Sequence, residues 1–195
     1  MEIVGASAIA LGLAVGLSAL VVLHILPTGL SPVRNAVSQY GITPYRNGYR
    51  VQTLAYALAG LGAALGLAEL PGPVALVVVL CLIFAAARAA ISWFSMDAPG
   101  GERTATGSWH GALAIVAFGA VGIAAASLAS LLRQDHIHKA LASASNGLAL
   151  LMLVAFVAMA VSRRTEGGFF GLAERGFYVC MTAWLAVVAV LLAHF

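Results

Sequence analysis

The sequence predicts an all-α fold, a bundle of six transmembrane helices with a short interfacial amphipathic helix after the first span. Hydrophobic residues make up 62% of the 195 residues and charged residues only 9%, whereas a soluble domain carries roughly 25% charged residues. Long apolar stretches recur along the chain, each close to the ~20 residues that a helix needs to cross a bilayer core. They cover residues 3–26, 51–70, 73–96, 109–132, 140–162 and 174–194.

The continuity of these stretches favours helices over a transmembrane β-barrel. Barrel strands would show alternating segments of about ten residues, and unpaired backbone groups are costly in lipid. Because the connectors are short, residues 1–195 are expected to form a single membrane domain. The first stretch follows Glu2 with no basic residue before it and is longer than the core of a signal peptide, so we expect a mature helix.

The basic residues are unevenly distributed over the connectors. The second and fourth connectors, together with both termini, contain only Arg133 and Lys139. Seven of the ten basic residues lie in the first, third and fifth connectors: Arg34, Arg46, Arg50, Arg103, Arg163, Arg164 and Arg175. Since basic loops stay in the cytoplasm, the odd connectors are predicted to be cytoplasmic and both termini to lie outside the plasma membrane. The net charge of +3 is explained by this topology, and no nucleic-acid partner is expected.

The first connector contains the predicted interfacial helix. Ser31 is a suitable N-cap, Pro32 a suitable first residue and Gly41 a suitable end. Residues at helical spacing then form an apolar stripe, which favours a helix lying at the cytoplasmic interface. The apolar face would be Val33, Ala36, Val37 and Tyr40, and the polar face Arg34, Asn35, Ser38 and Gln39.

Glycines recur at four-residue spacing within the apolar stretches, as in Gly12/Gly16 and Gly62/Gly66. Such pairs allow helix backbones to approach closely. We expect them to serve packing within the chain, and a homo-oligomer or a larger membrane complex stays open.

Arg88 lies near the middle of the third predicted span. An arginine at that depth costs roughly 2.5–3.5 kcal/mol on insertion scales, so it should face the bundle and have a partner. The partner could be a carboxylate of another helix, a ring of carbonyls and hydroxyls, or an anionic lipid headgroup. A structural arginine that extends to the cytoplasmic side fits the sequence equally well.

The predicted topology places several polar residues at the cytoplasmic face. Ser38, Asp97 and His110 are of the types used in nucleophilic or metal-assisted hydrolysis, and they are the candidate catalytic residues. His24, Asp97 and His110 are a candidate ligand set for a divalent metal such as zinc. Structural explanations stay open for each: a solvated helix face for Ser38, a turn for Asp97 and an interfacial hydrogen bond for His110.

Three segments carry recognisable polar motifs. They are Asn35-Ala36-Val37-Ser38-Gln39-Tyr40-Gly41, then Phe94-Ser95-Met96-Asp97 with Thr104-Ala105-Thr106-Gly107-Ser108-Trp109-His110, and Gly171-Leu172-Ala173-Glu174-Arg175. Together they resemble the bacterial membrane-protein family called domain of unknown function 998. That family has Asn-x-x-Ser-x-x-Gly, then Phe-Pro-x-Asp with Thr-x-x-Gly-x-x-His, and Gly-x-x-x-Arg. Ser95 stands where the family usually has proline.

The resemblance implies six spans in a bacterial inner membrane and a recurrent polar cluster of Asn35, Ser38, Asp97 and His110. It implies no established reaction. The use of serine, aspartate and histidine is also remotely similar to the ceramidase and progestin-receptor superfamily, described as intramembrane metal hydrolases. Those proteins use further histidines late in the chain, which the last cytoplasmic connector here lacks.

Three function classes therefore stay open. A lipid-directed hydrolase would use Ser38, Asp97 and His110, with or without a metal. A non-enzymatic lipid-binding or accessory subunit would hold anionic headgroups with Arg88 and the interfacial basic residues. A small-molecule transporter ranks third, because the outer halves of the spans contain no acidic residue except Glu69 at the outer end of the second. Membrane lipids are the expected partners in the first two classes.

Overall fold

The computed structural model describes residues 2–133, 138–163 and 168–194. In these residues the only regular elements are six α-helices and two short 3-10 helices, so the all-α class is confirmed. The α-helices are α1 (Glu2–Ile25), α2 (Arg46–Leu67), α3 (Ala75–Ala90), α4 (Ala105–Leu132), α5 (Lys139–Ser162) and α6 (Phe170–Ala193). The 3-10 helices cover Val37–Ile42 and Ile91–Trp93, the second continuing α3. Arg164 of the predicted cytoplasmic set lies outside the described residues.

Five of the described helices are long and apolar enough to cross a membrane, namely α1, α3 with its 3-10 extension, α4, α5 and α6. The protein is therefore a multi-pass membrane protein. Helix α2 is of similar length but is not among the five, and its first two turns contain Arg46, Arg50 and Gln52.

Three helices begin earlier than the apolar stretches of the sequence. α2 begins at Arg46, α4 at Ala105 and α6 at Phe170, each four or five residues before the predicted start. Hydropathy ends where polar residues begin, whereas helical hydrogen bonding continues through them. At α4 the cause is visible, because the Thr104 hydroxyl is the N-cap and accepts from the Gly107 amide at 3.0 Å.

Consecutive helices pack against one another, and α6 closes the ring by packing against α1. Helix α6 also contacts α2 and α4. Because neighbours in sequence run antiparallel, the first, third and fifth connectors lie at one end of the bundle. We call this the basic end, after the arginines that these connectors carry.

Small residues bring α1 and α2 into close contact. A Cβ atom added at Gly12 would lie 2.5 Å from the Ala55 carbonyl oxygen, and one at Gly5 would lie 2.7 Å from the Gly62 carbonyl oxygen. A larger side chain at either glycine would force the two backbones apart. The spaced glycines thus serve packing within the chain, as their pattern predicted.

The first connector differs from its prediction. No α-helix begins at Pro32; residues 32–34 form a turn, and the helical part is the 3-10 helix Val37–Ile42. The predicted Ser31 cap is wrong, since the Asn35 side chain instead accepts from the Ser31 amide at 2.7 Å. The predicted faces are also wrong, because Gln39 is buried and Val33 is exposed. Tertiary packing explains these differences, because this segment packs on the start of α6. There the Leu172 amide donates to the Val33 carbonyl at 2.9 Å.

Candidate functional site

A mostly polar cavity of about 190 Å³ lies at the basic end. The first connector, the start of α2, the α3–α4 connector and the start of α4 all contribute to it. Its principal polar residues are Ser38, Arg46, Tyr49, Arg50, Ser92 and His110, and none of its lining residues is acidic. We call it the basic pocket.

The two arginines of the basic pocket are held differently. Arg50 Nε donates to the Ser92 carbonyl at 3.2 Å, while the Ser92 hydroxyl is 2.9 Å from that of Thr53. Arg50 is therefore oriented with its terminal nitrogens still available. The Arg46 side chain makes no hydrogen bond or ion pair with any residue that the structure describes, although its backbone amide donates to the Thr43 carbonyl. The pocket thus has one fixed and one unengaged guanidinium.

His110 forms the inner wall and is only 6% exposed. Its Nδ1 lies 2.8 Å from the Phe94 carbonyl oxygen. Because a carbonyl can only accept, Nδ1 carries the hydrogen, and Nε2 is the nitrogen with the free lone pair in the neutral ring. The ring packs beside Tyr49, with 6.4 Å between the two ring centroids.

Ser38 also lines the pocket, from the 3-10 helix of the first connector. Its hydroxyl donates to the Met96 sulfur at 3.2 Å. A thioether is a weak acceptor, so a stronger anionic acceptor could take this hydroxyl. The structure therefore brings Ser38 and His110 of the predicted catalytic set to one cavity.

Asp97 does not line that cavity. Its carboxylate accepts from the Thr104 hydroxyl at 2.6 Å and from the Thr104 amide at 3.2 Å. A Cβ atom at Gly107 would collide with this carboxylate, which lies against the first turn of α4, where negative charge is favourable. Asp97 thus closes the α3–α4 connector onto α4, and no direct hydrogen bond joins it to His110.

His24 lies apart from the pocket, beside Tyr40 and Arg175. Its Nε2 accepts from Arg175 Nε at 2.6 Å, and its Nδ1 is 2.6 Å from the Leu20 carbonyl oxygen. Both ring nitrogens are therefore engaged. Within residues 2–133, 138–163 and 168–194, no group of three or more His, Cys, Asp or Glu side chains could hold a metal ion. The structure does not bring His24, Asp97 and His110 together as a ligand set.

The start of α6 holds the first connector in place. The Glu174 carboxylate, which is buried, accepts from the Val37 amide at 2.6 Å. Arg175 Nη1 donates to the Asn35 carbonyl at 2.8 Å. Gly171 permits this approach, because a Cβ atom there would collide with the same carbonyl. We call these contacts the α6 latch, and they position the segment that supplies Ser38 to the basic pocket.

The latch joins the first and third sequence motifs, while the second supplies Asp97 and His110 at the same end of the bundle. A family model described as "Protein of unknown function (DUF998)" matches residues 10–191. The chain belongs to this family. No curated protein and no solved structure matches it. In this DUF998 protein the three motifs thus supply residues that line the basic pocket or that hold its lining segments in place.

Sequence reasoning did not identify the residues that give the pocket of this DUF998 protein its charge. Arg46 and Arg50 lie in a segment that mixes aromatic and basic residues, a pattern typical of interfacial anchors. Nothing in that pattern distinguishes an anchor from a pocket wall. Glu174 and Arg175 belong to the third motif, but their contacts with Val37 and Asn35 depend on the path of the first connector.

Arg88 of this DUF998 protein lies in the last turn of α3, and the 3-10 helix continues the span beyond it to Trp93. It is 1% exposed and does not line the basic pocket. Its Nη2 donates to Gln52 Oε1 at 3.0 Å, and its guanidinium carbon lies 5.8 and 5.4 Å from the Tyr56 and Tyr178 ring centroids. The charge is thus held by an amide and two aromatic faces.

Proposed function

We propose that this protein binds a phosphate-bearing anion at the cytoplasmic face of the membrane, in the basic pocket. One observation carries the proposal: Arg46 and Arg50 line a single cavity that has no acidic lining residue, and the Arg46 guanidinium is unengaged among the described residues. Arginine forks match the geometry of phosphate oxygens and bind them in bidentate fashion. Two guanidinium groups at one cavity without an acidic lining residue favour an anionic ligand.

Each wall of the pocket has a role in this proposal. Arg50 is oriented in advance by the Ser92 carbonyl, so little side-chain freedom is lost when its terminal nitrogens meet a phosphate. Arg46 adds a second guanidinium from the preceding turn. The Ser38 hydroxyl can exchange the Met96 sulfur for a phosphate oxygen, which is a stronger acceptor. His110 adds a donor when its ring is protonated.

The experiment compares wild-type protein with Arg50→Gln, Arg46→Gln and Arg34→Gln. Arg34 is the matched control, since it is an exposed arginine of the first connector that does not line the pocket. Titration calorimetry with glycerol phosphate, on purified protein in detergent, should show roughly tenfold weaker binding for Arg50→Gln and Arg46→Gln, since a hydrogen bond to a charged group is worth about 1.5–3 kcal/mol. Equal affinity in all four proteins would contradict the proposal.

Hydrolysis of a bound phosphoester is the second candidate, because Ser38 and His110 line the same pocket. The role of Asp97 in such a reaction stays a prediction, and its contacts with Thr104 favour a structural role. Release of inorganic phosphate during the titration, lost in His110→Ala, would favour hydrolysis over binding alone.

We further propose that α2 is a sixth span, that both termini lie outside and that the membrane is a bacterial inner membrane. Helix α2 packs along both α1 and α3 and therefore shares their depth. The basic residues at one end support the orientation. Single cysteines test it: from outside intact cells, an impermeant maleimide should label Glu69→Cys and not Ala98→Cys, both exposed positions. The opposite pattern would reverse the orientation.

A further inference from the structure

A second cavity, of about 640 Å³, lies between α1 and the start of α2. Its lining is largely apolar and includes Ala14, Ser18 and Val22 on α1, and Tyr45, Gly48 and Val51 on the other side. We call it the α1–α2 groove. Ala14, Ser18 and Val22 are exposed at the outer surface of the bundle, so the groove faces lipid. Its small residues make this part of the surface concave, and its volume falls within the 300–1,000 Å³ typical of ligand sites.

The length of the groove matches one leaflet of a bilayer. Its lining on the α1 side extends from Ala14 to Leu26, just past the end of the helix. At 1.5 Å per residue these twelve steps cover about 18 Å. Half of a ~30 Å hydrocarbon core is about 15 Å. On its α1 side the groove therefore begins at the basic end and runs about as deep as an acyl chain of that leaflet, whereas its lining on the α2 side ends at Val51.

The groove and the basic pocket are separated only by the first two turns of α2. Arg46, Tyr49 and Arg50 line the pocket, while Asn47 and Gly48 line the groove. Neighbouring residues of one helix thus face a cationic cavity on one side and an open apolar groove on the other. An anionic head and an apolar tail of one molecule would meet complementary surfaces across this turn.

We infer that the ligand is an anionic phospholipid, with its phosphate in the basic pocket and one acyl chain in the α1–α2 groove. The inference rests on the proposed function and narrows its ligand from any phosphate-bearing anion to a membrane lipid. Charge complementarity in the pocket, the one-leaflet length of the groove and their shared helix support it. A soluble phosphate ester would leave the groove unused.

The experiment measures two ligands on three variants of the full chain in detergent. The ligands are glycerol phosphate and phosphatidic acid with sixteen-carbon chains, the latter followed by native mass spectrometry. The variants are Ala14→Phe, which fills the groove, Arg50→Gln, which weakens the pocket, and Ala160→Phe as the matched control. Ala160 is an exposed alanine of α5, near the same end of the bundle, and it does not line the groove.

Wild-type protein should bind the lipid more tightly than glycerol phosphate, because van der Waals packing of the acyl chain in the groove adds to the contacts of the phosphate. Ala14→Phe should weaken lipid binding about tenfold and leave glycerol phosphate binding unchanged, which also shows that the variant is folded. Arg50→Gln should weaken both ligands, and Ala160→Phe neither.

The outcomes separate the two proposals. Unchanged lipid binding in Ala14→Phe, with loss in Arg50→Gln, would overturn the groove inference and leave the proposed function standing. Unchanged binding of both ligands in Arg50→Gln would overturn both. If Ala14→Phe changed the mass of the protein in light scattering from a dimer to a monomer, a second copy and not a lipid would occupy the groove, which would overturn the inference.

Discussion

Arg88→Glu is expected to abolish folded protein, whereas Arg88→Leu should still give an inserted bundle. At position 88 a glutamate would face the Gln52 carbonyl oxygen and the electron-rich faces of Tyr56 and Tyr178. None of these groups is cationic, so the carboxylate would be buried without an ion-pair partner. Leaving a charge buried without a partner costs about 3–5 kcal/mol or more, a large part of the 5–15 kcal/mol by which domains are stable.

The leucine variant removes the charge together with its requirement for a partner. It leaves Gln52 without its donor, so we expect a loss of about 1–3 kcal/mol and a lower melting temperature. Fluorescence-detected size-exclusion chromatography gives the yield of monodisperse protein for both variants, and Arg34→Glu is the control for charge reversal at an exposed position. A wild-type yield for Arg88→Glu would mean that Arg88 does not face the interior.

Gly171→Ala and Gly176→Ala should change stability in opposite directions, although both glycines lie on α6, five residues apart. Alanine is favoured over glycine in a helix by roughly 1 kcal/mol. At Gly176 nothing lies within 4 Å of an added Cβ atom, so this gain should be realised. At Gly171 the new atom would collide with the Asn35 and Pro32 carbonyl oxygens. Overpacking of this kind costs about 1–3 kcal/mol.

A reporter cysteine at Val37 tests whether Gly171→Ala displaces the first connector. Val37 is fully buried and its amide donates to Glu174, so Val37→Cys should react slowly with a maleimide while the α6 latch is intact. Adding Gly171→Ala should raise the reaction rate and weaken anion binding, because the connector that carries Ser38 is displaced. Adding Gly176→Ala should change neither. Equal rates in the two glycine variants would show that the latch does not depend on Gly171.

The helical class could be predicted because long apolar stretches dominate this sequence. Hydropathy directly measures the free energy of transferring such residues into lipid. The starts of α2, α4 and α6 could not be predicted from hydropathy. Their first turns are polar, and they are helical because of backbone hydrogen bonds and caps such as Thr104. The prediction for the first connector was wrong for another reason. Its periodicity fitted a helix with a solvated face, but its burial is set by α6, which lies about 135 residues further along the chain.

Sequence reasoning could place candidate residues at one end of the bundle, but it could not give the contacts that each of them makes. Alternating topology correctly brought Ser38 and His110 to one end of the bundle. Asp97 and His24 reach the same end, but each is engaged by a nearer partner, Thr104 and Arg175. Which residue each of these side chains contacts depends on positions within a few ångströms. Neither the membrane topology nor the sequence spacing provides those positions.

The α6 latch also has a consequence for biogenesis. Glu174 and the Val37 amide that it holds are 137 residues apart. At roughly 5–20 residues per second of synthesis, the first connector waits about 7–27 s for its partner after leaving the ribosome. Only when the last helix inserts can the wall that carries Ser38 take its place. A ribosome-bound or truncated product that ends before α6 would therefore lack the contact that holds the wall with Ser38, so the basic pocket is completed at the final step of assembly.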